Sequence, residues 1–164
     1  MTTRPAHDVV EVERRIAARP DTVFAYFTDA ERYRRWQGVD AELDPRPGGV
    51  FRVTMTGRSR TVARGVFVEV EAPTRLVFTW GWEAADGSHD NLPDGMSGVP
   101  PGSSTVEVVL VPDGDDATLL RLRHTGLPTS ETATFHTGGW DLTLDRLAAV
   151  AAGADPGPDP MADL

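Results

Sequence analysis

Six short segments between residues 40 and 125 limit the possible fold more than any other feature of the sequence. Each alternates apolar with polar residues or is rich in β-branched and aromatic residues, as β-strands are. The connections PRPGG, TGRS, EAPT and PDGDD contain the residues that form tight turns. Because short connections join neighbouring strands in opposite directions, an antiparallel meander is predicted. Its strands are expected at 40–44, 49–55, 60–71, 75–83, 104–112 and 117–125.

A strand and a short helix are predicted before this meander. Residues 8–18 alternate in the manner of a half-buried strand. Pro20 suits the first turn of a helix, and Val23, Phe24 and Phe27 then share one apolar face.

A second short helix is predicted at 29–36. Thr28 and Glu31 have the spacing of a capping box, in which each side chain satisfies a backbone N–H group of the other residue. Tyr33 and Trp36 are three residues apart, so both are expected to point toward the protein body.

A long amphipathic helix is predicted at 130–152. Gly138 and Gly139 lie inside it and cost roughly 2 kcal/mol relative to two alanines, so a close approach to the sheet or a kink is expected there. Phe135 and Leu142 fall on the opposite side of the helix from its inward stripe. That stripe contains Ala133, His136, Trp140, Leu144, Leu147 and Ala151.

The composition excludes several kinds of chemistry. All 16 basic residues are arginine and there is no cysteine, so a lysine Schiff base, a P-loop lysine, a thiol nucleophile and a disulfide are impossible. The net charge of -9 argues against nucleic acid and anionic membranes as partners. With no apolar leader at the start and no run of 18 apolar residues, a cytoplasmic protein is expected.

The connection at 83–103 is unusually long, polar and rich in Gly and Pro. We predict a solvated, mobile loop, because connections of this length in compact domains are commonly lids or insertions. Asp86, His89, Asp90 and Asp94 could be metal ligands, but their spacing does not follow the Ca²⁺-binding loop of EF-hands.

Two of the four histidines, His124 and His136, are expected to face the interior from the last strand and the long helix. Both could be structural, or they could form the polar end of an apolar ligand pocket. General-base catalysis would need a partner that orients the imidazole, and a metal site would need a third ligand; neither is evident. No G-x-S-x-G motif indicates a serine nucleophile.

Five motifs occur in the same order as in a known family. They are VFAYFTDAERYRRW, DPRPGGVFRV, the run from Gly65 to Trp80, LRHTGLP and HTGGWDLTLDRL. On them the chain resembles the START-like or SRPBCC superfamily over residues 9–150, and in particular bacterial proteins related to the C-terminal domain of the heat-shock-protein-90 ATPase activator. The resemblance implies an α+β helix-grip fold, with a curved antiparallel sheet of six to seven strands around the C-terminal helix.

Members of that superfamily include lipid and hormone binders, polyketide cyclases and aromatases, antibiotic-sequestering proteins and chaperone activators, so the fold does not determine the function. We expect a binding domain at 8–152 between flexible tails at 1–7 and 153–164. It would hold a small apolar or aromatic ligand between the C-terminal helix and the sheet, with no cofactor or metal, as a monomer or homodimer. A chaperone-activating module and a polyketide cyclase or aromatase are the alternatives. The predicted ligand contacts are Trp36, Phe51, Met55, Trp80, Trp82, His124, His136 and Trp140.

Overall fold

The computed structural model describes residues 9–55, 60–89 and 92–158. The elements follow the predicted order: a strand, two short helices, a series of strands and a long helix. They are β1 (Val10–Ile16), α1 (Pro20–Thr28), α2 (Ala30–Tyr33), β2 (Asp40–Leu43), β3 (Val50–Thr54), β4 (Val62–Glu71), β5 (Arg75–Trp80), β6 (Trp82–Glu83), β7 (Ser104–Pro112), β8 (Thr118–Thr125) and α3 (Ser130–Ala151).

The strands form one open antiparallel sheet with the order β1-β8-β7-β5-β4-β3-β2, and β6 pairs with β4 beside this row. The predicted α+β fold, with a meander and a long C-terminal helix, is confirmed. The strand predicted at 75–83 is divided at Gly81, where a Cβ atom would overlap the carbonyl group of Pro100. Only glycine allows that approach, and the chain then leaves the β5 ladder to pair Trp82 with Ala63.

The second helix differs from its prediction. It covers only Ala30–Tyr33, and its cap is Asp29, whose carboxylate accepts from the backbone N–H groups of Glu31 and Arg32. Thr28 instead donates to the carbonyl of Phe24, so the predicted Thr28–Glu31 capping box is wrong. Both residues are good caps, and the helix begins one residue later than predicted.

The long helix α3 packs its inward stripe against the sheet as predicted. Ala133, His136, Trp140, Leu144 and Leu147 are buried, and Ala151 is half-buried. Leu142 is 51% exposed, in agreement with its place off the stripe.

The edge strand β1 is held to α3 by Arg14. The Arg14 guanidinium contacts the carboxylates of Asp141 and Asp145, each at 2.9 Å.

Aromatic side chains form much of the core between α3, the short helices and the sheet. Phe51 stacks on Phe78 with ring centroids 4.3 Å apart, and Phe67 meets both rings edge to face. On β4, Ala63 and Phe67 thus form an inward row, while Val66 and Val68 are each 42% exposed.

The segment between β6 and β7 is not a solvated loop throughout. Met96 and Val99 are buried, and the carbonyl of Val99 accepts from the backbone N–H of Trp82 at 2.7 Å. The prediction of a solvated loop is wrong for this part, because its apolar residues Met96 and Val99 are buried although the segment as a whole is polar.

The remaining predictions concern ions, membranes and tails. Asp90 lies outside the described residues, and among the residues described no three His, Asp or Glu side chains come close enough to share a metal ion. None of the helices described is long and apolar enough to cross a bilayer. Residues 1–7 and 159–164 of the predicted tails also lie outside the described residues. Arg146 donates to the carbonyl of Gly157 at 2.7 Å, so the beginning of the second tail contacts the domain.

Candidate functional site

A small cavity of about 30 Å³ lies between α3 and the sheet, where the ligand pocket was expected. Five of the eight predicted contacts line it: Met55, Trp80, Trp82, His136 and Trp140. Four further lining residues were not predicted from the sequence: Gln37, Phe135, Gly139 and Thr143.

Three predicted contacts lie outside the cavity lining. Trp36 packs between the short helices and donates to the carbonyl of Tyr26 at 3.0 Å. Phe51 is deeper in the sheet, stacked on Phe78. His124 is fully buried and lies behind Trp80 and Trp140, with ring centroids 6.0 and 6.2 Å away. Each position is inward-facing, as periodicity indicated, but each side chain packs against other aromatic rings and does not line the cavity.

Hydrogen bonds use both ring nitrogens of His124. The Trp140 indole can only donate, and it donates to Nδ1 at 3.1 Å. Nε2 therefore carries the proton and donates to the hydroxyl oxygen of Ser104 at 2.8 Å. His124 is held as a neutral imidazole with a defined tautomer.

The distance between Ser104 and His124 is that of a serine nucleophile and its general base. Their hydrogen bond, however, has the opposite direction from the one that catalysis requires. The Ser104 hydroxyl donates to the carbonyl of Trp80 at 2.7 Å and accepts from His124. The imidazole therefore cannot remove the hydroxyl proton, as a serine nucleophile requires. Ser104 could have been found from the sequence, because it continues the inward row of Val106 and Val108 on β7.

His136 is engaged in the same way. Its Nδ1–H group donates to the carbonyl of Thr132 at 2.7 Å, and its Nε2 accepts from the Trp82 indole at 2.9 Å. The two imidazole rings meet edge to face with centroids 5.0 Å apart. Neither ring has a free lone pair, so we assign neither histidine the acid or base role that a cyclase would need.

Burial keeps both histidines uncharged. Loss of hydration lowers the pKa of His124 well below its ordinary value, and repulsion from His136 lowers it further. Burial also lowers the pKa of His136, although its hydrogen bond to Thr132 opposes the change. The histidines fix the orientations of two tryptophans, which is the structural role considered for them from the sequence.

The third tryptophan of the cavity wall differs from the other two. Among the described residues, the indole Nε1 of Trp80 is the only buried side-chain nitrogen or oxygen atom without a hydrogen-bond partner. Trp80 is only 2% exposed and lies against Trp82 and Trp140, with ring centroids 5.3 and 5.1 Å away. A buried donor of this kind is costly and requires an explanation.

Phe135 covers one side of the cavity. It is half-buried, and its ring fills the space that a Cβ atom would occupy at Gly95, a residue with a φ of +92°. Phe135 lies off the inward stripe of α3, so helical periodicity did not indicate it. Its contact with the segment after β6 brings it over the cavity.

The two glycines of α3 have no close neighbour. A Cβ atom at Gly138 or Gly139 would meet nothing within 4 Å, so the predicted close approach to the sheet is wrong. Gly139 lines the cavity, and the missing side chain leaves open space beside Trp140. Gly138 is exposed, and nothing in the structure explains it.

Comparison with known proteins agrees with the fold. The sequence family described as "Activator of Hsp90 ATPase homolog 1-like protein" matches residues 17–152, whereas no curated protein matches the chain. The solution structure of an AHSA1-like protein of Rhizobium etli is 47% identical, with a TM-score of 0.66, over 93% of this chain and 86% of that one.

Two further structures are less similar in sequence. CalU16 of Micromonospora echinospora is 28% identical, with a TM-score of 0.67, over 94% of this chain and 78% of its own. DynU16, from the dynemicin biosynthetic locus, is 26% identical with a TM-score of 0.68; the match covers 91% of this chain but only 49% of DynU16. Since the family match extends over most of the sequence and the sheet and long helix follow the helix-grip fold, the chain belongs to the AHSA1 family of START-like proteins.

Proposed function

We propose that this protein binds a small apolar or aromatic molecule in the cavity between α3 and the sheet. The observation that carries the proposal is the wall of the cavity, where Trp80, Trp82 and Trp140 converge beside Met55 and few polar groups. Small-molecule sites are concave and mostly apolar, with a few polar groups that fix the ligand's orientation. Two of the three indole rings are already fixed in place by histidines, which reduces the entropy lost on binding.

A ligand would have to enlarge this cavity. Its volume of about 30 Å³ is enough for water, whereas sites for drug-sized ligands occupy roughly 300–1,000 Å³. Phe135 is the side chain best placed to move, because it is half-buried and contacts a loop glycine on its outer side. Its displacement would open the cavity between α3 and the segment after β6.

The glycine pair of α3 allows a matched test with indane, a small bicyclic hydrocarbon. We expect Gly139→Leu to weaken indane binding about tenfold or more, because the new side chain would occupy the cavity. Gly138→Leu introduces the same side chain one residue away, where it faces solvent, and should bind like the parent protein. Affinity is measured from the NMR shifts of the tryptophan indole N–H groups during titration.

The stability of both variants serves as the control. Neither new Cβ atom meets a neighbour, so Gly138→Leu should be as stable as the parent or more stable by up to about 1 kcal/mol, whereas Gly139→Leu fills a cavity of about 30 Å³ and should cost about 1–3 kcal/mol. Equal loss of indane binding in the two variants would contradict the proposed location. A parent protein that binds neither indane nor its ketone 1-indanone would contradict the proposed function.

A second candidate function, activation of a chaperone ATPase, is favoured by the description of the matching family. It would use the outward face of the sheet, where Glu13 of β1 pairs with Arg121 of β8 at 3.1 Å. The test is the ATPase rate of the heat-shock-protein-90 homologue from the same organism. Stimulation that is lost in Arg121→Glu but kept in Gly139→Leu would support this role, and absence of both stimulation and binding would remove it.

A further inference from the structure

Three tryptophans line the cavity, and their buried indole N–H groups are not equivalent. Those of Trp82 and Trp140 donate to histidine nitrogens, whereas that of Trp80 has no partner among the described residues. We infer that the Trp80 N–H group is the donor that selects the ligand, and that the ligand is an uncharged aromatic molecule that presents a carbonyl oxygen to it. This inference rests on the proposed function and specifies the ligand class.

The ligand should present a hydrogen-bond acceptor, because a buried N–H group without a partner is costly. A pure hydrocarbon placed against Trp80 would leave this buried N–H group without a partner. A carbonyl oxygen would accept that proton and remove the cost. The same ligand gains nothing from the other two indoles, since their protons already point to His136 and His124.

The lining also indicates that the ligand is uncharged. Among the described residues that line the cavity, His136 is the only one with an ionisable side chain, and its burial favours the neutral form. The other polar groups there are neutral. Gln37 accepts from the Tyr33 hydroxyl, and Thr143 donates to the carbonyl of Gly139 at 2.9 Å. A carboxylate or ammonium group would lose its hydration without meeting an opposite charge.

The experiment compares indane with 1-indanone, which have the same bicyclic frame and differ by one carbonyl group. We expect 1-indanone to bind the parent protein about fivefold more tightly or better, the factor expected of one net hydrogen bond. The indole proton signal of Trp80 should move downfield with 1-indanone and not with indane. This signal is assigned by single Trp→Phe substitutions.

Two variants test whether Trp80 is the donor. Trp80→Phe removes the N–H group and keeps an aromatic ring, so the ratio of the two affinities should fall to about one. Trp36→Phe is the matched control, because Trp36 is equally buried but donates to Tyr26 away from the cavity, and it should keep the preference for the ketone. The ratio is read instead of the affinity, since Trp80→Phe also changes the volume of the cavity.

The outcomes separate this inference from the proposed function. Equal affinity for the two compounds in the parent protein, or a Trp80 signal that does not respond to the ketone, overturns the inference while ligand binding stands. Failure of both compounds to bind overturns both. If Trp80→Phe does not fold, the indole signal in the parent protein still decides the question.

Discussion

Lowering the pH from 7 to 5 is expected to reduce the free energy of unfolding by up to about 2 kcal/mol for each of the two buried histidines. Burial lowers the pKa of His124 and of His136 in the folded protein, while both titrate near 6.5 when unfolded. The unfolded state therefore binds more protons below pH 6.5, and stability falls as the pH falls through this window. Above about pH 7 the two histidines contribute no pH dependence. Urea denaturation at a series of pH values measures the effect.

Protonation would also break specific contacts. A charged His136 has no lone pair for the Trp82 indole, and a charged His124 has none for the Trp140 indole. Asp29 titrates in a lower pH range than the histidines. Backbone hydrogen bonds lower its pKa below the ordinary value of about 3.8, so its contribution to stability is lost only at lower pH. A stability that is flat between pH 7 and 5 would contradict the neutral, buried state of both histidines.

The substitution His124→Leu is expected to lower the free energy of unfolding by about 3 kcal/mol. Leucine fills a similar volume, but it leaves the buried N–H group of Trp140 without an acceptor and removes the proton that His124 donates to Ser104. Ser104 keeps its own bond to the carbonyl of Trp80, so most of the cost falls on Trp140. The measurement is urea denaturation at pH 7.5, where histidine titration does not contribute.

Adding Trp140→Phe to His124→Leu provides the control. The second substitution removes the orphaned N–H group, so it should cost less in the His124→Leu background than alone, with a coupling of about 1–2 kcal/mol. The double variant should also show a smaller loss of stability on acidification, because one of the two buried histidines is gone. Additive effects would show that the Trp140–His124 bond does not stabilise the protein.

The periodic features of the sequence predicted the fold closely. The inward stripe of α3 and the strands of the meander are both consequences of burial, and burial leaves a period of 3.6 or 2 in the pattern of apolar residues. Features that depend on a single residue, such as a helix cap, were harder to predict from the sequence. Thr28 and Asp29 are adjacent and both suit a cap, and the pattern cannot choose between them.

The candidate site was predicted only in part, because periodicity gives the direction of a side chain and not its neighbours. Periodicity shows that Trp80, Trp140 and His124 face inward, but not which of them reaches the cavity and which lies behind another ring. Phe135 reaches the cavity through its contact with Gly95, in a different part of the chain. The hydrogen bonds that distinguish Trp80 from the other tryptophans depend on three-dimensional positions that no spacing records.

The pairing of β1 with β8 has a consequence for how the protein acquires its structure. Val10 lies opposite His124, so the ladder between these strands joins residues more than a hundred positions apart. The helix α3, which covers the inward face of the sheet, comes later still in the chain. Chains dominated by such distant contacts fold slowly, since a large loop must close before the contacts stabilise it. During synthesis, β1 has no partner strand until β8 has left the ribosome. The strand that carries His124, behind the tryptophans of the cavity, is therefore paired on both sides only among the last steps of folding.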